Sequence, residues 1–165
     1  MVFVENVIPV IRKAGLSDIE TLVKLRIELL AEINHDIAFD RSSLVNKTRM
    51  YFLEKVPSNK FIAWLAEIND EIVGTSGLVF FERPPLIENL SGIEAYIMNM
   101  YTLRNWRNRG IATLLLKEVI SFVKTTPAKK VWLHATWNAK SLYERFGFTT
   151  LSKDMHSTVE MEYYL

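Results

Sequence analysis

Arginines and a glycine cluster where a strand gives way to an apolar run, in the stretch RNWRNRGIATLLL. Arg104, Arg107 and Arg109 precede Gly110, and the residues that follow have the character of a helix. A helix start carries the positive end of the macrodipole and usually attracts Asp and Glu instead. Its unpaired amides bind anions, glycine lets a phosphate approach the backbone, and arginine supplies charge-assisted donors. The pattern therefore indicates a phosphate or diphosphate site.

Two familiar phosphate motifs are missing from the chain, which has neither G-x-x-x-x-G-K-[ST] nor G-x-G-x-x-G. The alternative interpretation of the arginine-glycine stretch is a solvated basic turn that uses Gly110 only for its backbone angle. The strand expected before the stretch and the helix expected after it favour the anion site.

Hydrophobic spacing predicts the elements that position this stretch. A strand over IPVIRKAG is followed by a helix capped by Ser17 or Asp18, and then by a second helix from about Ser43 to Lys55. A hairpin turns at Asn69-Asp70, and IEAYIMNMYTL is a long strand that leads into the arginine-glycine stretch. The helix after it runs to about Lys124.

The C-terminal part is predicted to contain a strand over KKVWLHAT, a short helix over NAKSLYERFGF and a closing strand over STVEMEYYL. Gly147 is expected to end the short helix in the left-handed conformation, and a further short strand is considered around 148–151. The order β-α-α-β-β-β-α-β-α-β predicts an α/β (α+β) protein with a mixed sheet. With 165 residues, the chain is expected to form a single domain, 1–165.

Composition excludes several classes of protein. A net charge of +1 argues against a nucleic-acid binder, and the absence of Cys excludes disulfides, thiolate metal sites and a cysteine nucleophile. No apolar run approaches the roughly 20 residues of a membrane helix, and the N-terminus does not resemble a signal peptide. Three scattered histidines lack metal-ligand spacing. We expect a cytoplasmic protein without metal, membrane or nucleic-acid partner.

Two motifs resemble those of the GCN5-related N-acetyltransferases. RNRGIA is similar to motif A, [RQ]-x-x-G-x-[GA], with Arg107, Gly110 and Ala112 in the defining places, and NAKSLYERFGF is similar to motif B. They follow in the family's order, about 30 residues apart. The resemblance covers nearly the whole chain. It implies a mixed, mostly antiparallel twisted sheet of six to seven strands flanked by about four helices.

The resemblance also implies acetyl-CoA as acetyl donor, and it assigns cofactor contacts to three segments. Backbone groups at the end of the fourth strand pair with the pantetheine arm, at Met100, Tyr101 and Thr102. The diphosphate contacts are expected from Arg107, Asn108, Arg109, Gly110, Ile111, Ala112 and Thr113. In motif B, Asn138 caps the short helix and contacts pantetheine, and Ser141 is a further contact. Arg104 stands where the family often has Pro.

By the same resemblance, Tyr143 is the general acid that protonates the departing thiolate. The chemistry fits, since a phenol of pKa near 10 can give its proton to a nascent thiolate of pKa near 8.5; a core or rim tyrosine is the alternative. Glu94 is the first candidate for the base that deprotonates the amine, with an exposed strand-end charge as the alternative. Glu82 and His35 are further candidates. Transfer is direct, and an amide near Tyr101 or Thr102 stabilises the oxyanion.

The acceptor is expected to be a primary amine of a small molecule or peptide. Carboxylates crowd the segments that build the family's acceptor pocket, and an acidic rim would capture a cationic amine: Glu28, Glu32, Asp36, Asp40, Glu82, Glu88 and Glu94. Aromatic side chains offer an apolar wall instead: Phe39, Phe80, Phe81 and Tyr96. The alternative function is a non-catalytic acyl-CoA-binding sensor or interaction module on the same fold. The protein is expected to be a monomer or homodimer.

Overall fold

A computed structural model describes residues 8–35 and 38–150. The chain divides into two compact units, Met1–Leu133 and His134–Leu165, and each is described by itself. Whether residues 1–165 form the expected single domain stays a prediction.

The first unit is built on a mixed sheet. Its strands lie side by side in chain order: β1 (Val10–Lys13), β2 (Ile62–Ile68), β3 (Glu71–Glu82), β4 (Ile93–Thr102) and β5 (Lys130–Trp132). Neighbours are antiparallel except β4 and β5, which are parallel. The mixed, mostly antiparallel sheet is thus confirmed.

The predicted number of six to seven strands is wrong for the described residues, which form five. Residues 148–150, which follow the short C-terminal helix, form no strand and pair with none of the five. The fifth strand is also shorter than expected and ends at Trp132. Residue 151 and the closing strand over 157–165 lie outside the described residues.

Three helices pack on this sheet: α1 (Ile19–Ile33), α2 (Arg41–Lys55) and α3 (Ile111–Val123). Asp18 begins α1, and its carboxylate accepts the Gly15 amide at 2.8 Å. Asp40 begins α2 by accepting the Ser43 amide at 3.0 Å. The Asp40 cap satisfies a helix amide that has no helical acceptor, which explains why α2 starts there. The Asp18–Gly15 bond instead closes the turn that precedes α1.

Two glycines of β3 let the helices approach the sheet closely. A Cβ on Gly74 would lie 3.2 Å from Ile111 of α3, and one on Gly77 would lie 2.5 Å from the ring of Phe61. Positions 74 and 77 face opposite sides of the strand. Helix α3 therefore covers one face, while Phe61 packs with Phe52 of α2 over the other, at a ring distance of 4.9 Å. The lack of a side chain at both positions is what permits this close approach.

The second unit contains a 3-10 turn, Trp137–Ala139, and the helix α4 (Lys140–Arg145). Gly147 ends the helix with φ +89°, which confirms the predicted left-handed conformation. The predicted N-cap role of Asn138 is wrong. Asn138 lies within the 3-10 turn. The N-cap of this turn is Thr136, and the N-cap of α4 is Ala139.

Candidate functional site

Strand β4 carries a bulge at Asn99. Thr75 of β3 pairs with Tyr101 and Gly77 with Met98, so one residue of β3 faces two of β4 across the register shift. Asn99 has φ +54°, a conformation that Asn tolerates better than most residues. A bulge interrupts the ladder and redirects nearby backbone groups. It lies immediately before Met100, where the predicted donor contacts begin.

The second half of β4 has an open edge. Strand β5 pairs with β4 only at Glu94, Ala95 and Tyr96. From Ile97 to Thr102 no other described strand pairs with this side of β4. Such an edge presents a row of main-chain donors and acceptors on which an extended ligand can lie.

The loop after β4 ends in a left-handed backbone turn at the start of α3. Asn108 has φ +61° and Gly110 has φ +78°, both in the left-handed region. The first helical bond of α3 runs from the Leu114 amide to the Gly110 carbonyl at 3.1 Å. The amides of Ile111, Ala112 and Thr113 thus precede the ladder and lack a helical acceptor.

The space beside Gly110 is open. A Cβ built on it meets nothing within 4 Å, although its positive φ strains any other residue. Open space, unpaired amides and the positive end of α3 together form the geometry of an anion site.

Arg107 is turned away from that space. Its terminal nitrogens donate to the two carboxylate oxygens of Glu32 at 2.8 and 2.9 Å, and its Nε donates to the Thr102 carbonyl at 2.9 Å. Its amide donates to the Arg104 carbonyl at 3.3 Å. Helix α1 thus supplies a carboxylate that occupies the guanidinium, and a direct contact of Arg107 with phosphate stays a prediction. Arg107 anchors the loop to α1.

Glu32 is the centre of this anchor. The hydrogen bond from Arg107, with a smaller contribution from Arg104, lowers the pKa of Glu32 from 4.5 to about 2. Arg104 Nε lies 3.3 Å from the carboxylate, and the Tyr101 hydroxyl donates to it at 3.3 Å. Glu32 therefore holds the loop and the end of β4 together as a permanent anion at neutral pH.

Arg109 is the arginine left for an anion. Its guanidinium lies over the Trp106 ring, 4.8 Å from the ring centre, and makes no ion pair within residues 8–35 and 38–150. Stacking restricts the long side chain while its N–H donors stay available. Trp106 thus has a structural role as the ring on which Arg109 stacks.

Glu94 lies elsewhere. It begins β4 six residues before Met100, about 20 Å away along a strand at 3.3 Å per residue. Its side chain is only 3% exposed and lies between Arg83 Nη2 at 3.5 Å and Lys130 Nζ at 3.6 Å. The alternative of an exposed charge is therefore wrong, since folding buries this carboxylate between two cations, and the same burial argues against the predicted role of base. Glu82, which pairs with Ile93, lies at the same remote end.

Two cavities flank the β4 bulge and its loop. The larger, about 560 Å³, is lined by Glu28, Ala31, Glu32, Arg41, Glu71, Tyr101, Leu103, Arg104, Asn105 and Trp106. The smaller, about 330 Å³, is lined by Arg26, Lys47, Thr48, Tyr51, Phe52, Phe61, Met98 and Asn99. Among the described residues, the larger cavity is lined by three glutamates, whereas the charged side chains of the smaller cavity are both cationic. Which of them receives the acceptor stays a prediction.

Arg26 and Asn99 are the residues that the sequence analysis missed. Arg26 Nη1 donates to Asn99 Oδ1 at 2.5 Å, across 73 positions of chain. A signal for Arg26 existed, since it interrupts the apolar run between Leu25 and Ile27 on a helix that faces the core. No local pattern marks Asn99.

In the second unit, Tyr143 is buried on α4 and packs edge-on against Phe148 at a ring distance of 5.8 Å. Burial raises the pKa of Tyr143 to about 12, so the hydroxyl stays protonated at neutral pH. Asn138 and Ser141 are exposed.

Two features are missing from residues 8–35 and 38–150. No helix there is both long and apolar enough to cross a membrane. No group of three or more His, Cys, Asp or Glu side chains there is arranged to hold a metal ion.

Comparison with known proteins places these features in context. A family model described as the acetyltransferase (GNAT) family matches residues 27–148. A predicted acetyltransferase from Clostridium acetobutylicum, crystallised with acetyl-CoA, is 30% identical over 91% of this chain and 96% of its own, with a TM-score of 0.78.

Two more distant structures share the fold. A GCN5-related N-acetyltransferase from Ralstonia eutropha JMP134 is 22% identical over 92% of this chain and 98% of its own, with a TM-score of 0.77. Glucosamine-6-phosphate N-acetyltransferase from Arabidopsis thaliana is 19% identical over 94% and 97%, with a TM-score of 0.67.

Proposed function

Because the chain belongs to the acetyltransferase (GNAT) family, we propose that it moves the acetyl group of acetyl-CoA directly to a primary amine of a small molecule or peptide. The observation that carries this proposal is the loop at Gly110, where open space faces unpaired amides at the end of an open strand edge. That combination suits a long ligand with an anionic diphosphate at one end.

The described residues fit acetyl-CoA as donor. The amides of Ile111, Ala112 and Thr113 and the guanidinium of Arg109 hold the diphosphate. Main-chain groups of Met100 and Tyr101 hold the pantetheine arm along the open edge. When bound, acetyl-CoA supplies an acyl group activated as a thioester. Asn138 and Ser141 stay proposed contacts by resemblance to motif B.

The chain's own groups then lower the barrier to transfer. Amides at the end of β4, where the bulge has redirected the backbone, stabilise the negative charge that develops on the carbonyl oxygen. By resemblance to motif B alone, Tyr143 stays the proposed acid that gives its proton to the departing sulfur. The chain contains no cysteine, so no cysteinyl intermediate forms. Glu94 is left out of this scheme because two cations hold it at the other end of β4.

The alternative of a non-catalytic acyl-CoA module has no observation in its favour. Both arrangements would bind the donor, so turnover separates them. Coenzyme A release across a panel of amines is followed with a thiol reagent, and the chain contributes no cysteine background. Transfer to an amine supports the enzyme, whereas donor binding without transfer to any amine supports the module.

The anion site itself is tested by donor binding. We expect acetyl-CoA to raise the melting temperature of the wild type and to lose this effect in Gly110→Glu, which puts a side chain and a negative charge into the open space. Gly15→Glu is the matched control, because Gly15 also has open space around it but lies in the β1–α1 connection with φ −123°. An unchanged melting temperature of the wild type at saturating acetyl-CoA would overturn the proposal.

A further inference from the structure

The smaller cavity opens beside the bulge of β4, directly before the proposed donor contacts. Met98 and Asn99 form its wall on the strand, and Tyr51 and Phe52 contribute from α2. Its volume of about 330 Å³ is at the small end of the range for ligand pockets, which run from roughly 300 to 1,000 Å³. A molecule seated there would lie next to the strand segment proposed to hold the acetyl group.

The charged side chains that line this cavity have one sign among the described residues. Arg26 and Lys47 line it, and no Asp or Glu of residues 8–35 and 38–150 does. The guanidinium of Arg26 has Asn99 Oδ1 as its hydrogen-bond partner, and no carboxylate pairs with it within the described ranges. By contrast Arg12, Arg49 and Arg107 each pair with Asp or Glu.

Arg26 is also partly withdrawn from water. Burial lowers the pKa of its guanidinium, although the group keeps its charge at neutral pH. Withdrawing a cation from water without a counter-ion costs free energy, and a bound anion would offset that cost. The bond to Asn99 fixes its orientation, and the planar fork retains donors suited to a carboxylate or a phosphate.

We propose that this cavity binds the acceptor, and that the acceptor amine carries an anionic group, a carboxylate or a phosphate, which is held by Arg26 and Lys47. The floor of Phe52 and Phe61 takes the apolar part of the molecule. The inference rests on the proposed acetyl transfer and narrows its substrate class. The acidic rim expected from the sequence would select the cationic amine of the acceptor, whereas the pocket proposed here selects its anionic group.

The experiment compares paired amines that differ in the anionic group: an amino acid with its carboxamide, and an amino-sugar phosphate with the free amino sugar. The measured quantity is the ratio of kcat/KM for the anionic member to kcat/KM for the neutral member. We expect Arg26→Gln and Lys47→Gln to lower this ratio about tenfold or more, mainly through KM of the anionic amine. The pair that shows the larger effect identifies carboxylate or phosphate.

Lys24→Gln is the matched control, since it removes an exposed cation from the same helix, two residues away from Arg26. We expect it to leave the ratio unchanged. Arg26→Lys separates charge from geometry and should restore part of the ratio. Because Lys47 is exposed, Lys47→Gln keeps the test valid even if Arg26→Gln fails to fold. Equal ratios in the wild type, Arg26→Gln and Lys47→Gln overturn the inference while leaving the transfer itself intact.

A binding measurement covers the case without turnover. Amines are titrated into the protein saturated with coenzyme A, and the melting temperature is recorded. A shift that is larger for anionic amines and lost in Lys47→Gln supports the pocket even if no amine is acetylated, which would count against the proposed function alone. Equal shifts for anionic and neutral amines, or no shift with either, count against the pocket.

Discussion

Arg107 donates two hydrogen bonds to the carboxylate of Glu32, across 75 positions of chain, and so fastens the loop before α3 to helix α1. The same guanidinium holds the Thr102 carbonyl at the end of β4. The arginine of motif A therefore anchors the loop that leads to Gly110, and the space beside Gly110 stays open. This relationship assigns different roles to arginines that lie two positions apart.

Glu32 should make stability depend on acid pH. Its pKa in the folded protein, about 2, is below its ordinary 4.5, so the charged form is favoured by folding. This stabilisation is present above about pH 4.5 and is lost as the pH falls towards 2. We expect Glu32→Gln to lower the free energy of unfolding by about 1 kcal/mol at pH 7.

The difference in free energy of unfolding between wild type and Glu32→Gln should shrink as the pH falls from 4.5 to 2. These limits are the ordinary pKa of Glu32 and its pKa in the folded protein. Denaturant unfolding at several pH values measures it. Glu28→Gln on the same helix is the control, since Glu28 makes no ion pair within the described ranges. A gap between wild type and Glu32→Gln that stays constant down to pH 2 would show that the ion pair is not its source.

Arg109 and Arg107 should respond differently to removal. Arg109→Gln takes away the guanidinium stacked on Trp106, and we expect acetyl-CoA affinity to fall about tenfold with little change in melting temperature. Arg107→Gln breaks the anchor to Glu32, so we expect a lower melting temperature as well. Calorimetric titration and thermal unfolding of both variants decide the matter, and identical behaviour would contradict the division of roles.

Tyr143→Phe should lower kcat roughly a hundredfold while leaving acetyl-CoA affinity unchanged, because only the proton donor is lost. With a pKa of about 12, the wild-type hydroxyl stays protonated from pH 7 to 10, so its ionisation should not lower kcat in that range. Steady-state kinetics over pH and donor titration provide the measurements. Equal kcat in Tyr143→Phe and wild type would remove the general-acid role.

We expect Glu94→Gln to lower the stability of the folded protein and to leave the rate of acetyl transfer unchanged. The carboxylate lies between Arg83 and Lys130, so we expect a loss of about 1–2 kcal/mol in the free energy of unfolding. Turnover and its pH profile should stay as in the wild type. Kinetics on the folded variant check this, and a loss of the acidic limb of the pH profile would return Glu94 to the role of base.

Much of the fold follows from local patterns. The hairpin turns at Asn69-Asp70, as its sequence predicted, and both residues have positive φ, a backbone conformation that Asn and Asp tolerate. Gly147 ends α4 in the left-handed region for a similar local reason. The strand-loop-helix around Gly110 was equally predictable, since apolar periodicity and one glycine define it.

The sequence by itself thus determined the order of the described elements and the family motifs, and it predicted an anion site at the start of α3, because short-range backbone chemistry encodes these features. Only the tertiary structure decided which charges meet. Arg107 pairs with Glu32 across 75 positions of chain, and Arg26 bonds Asn99 across 73. Glu94 is buried between two cations. A side chain's residue type states what it can bind, but its partner depends on which elements the packed core brings beside it.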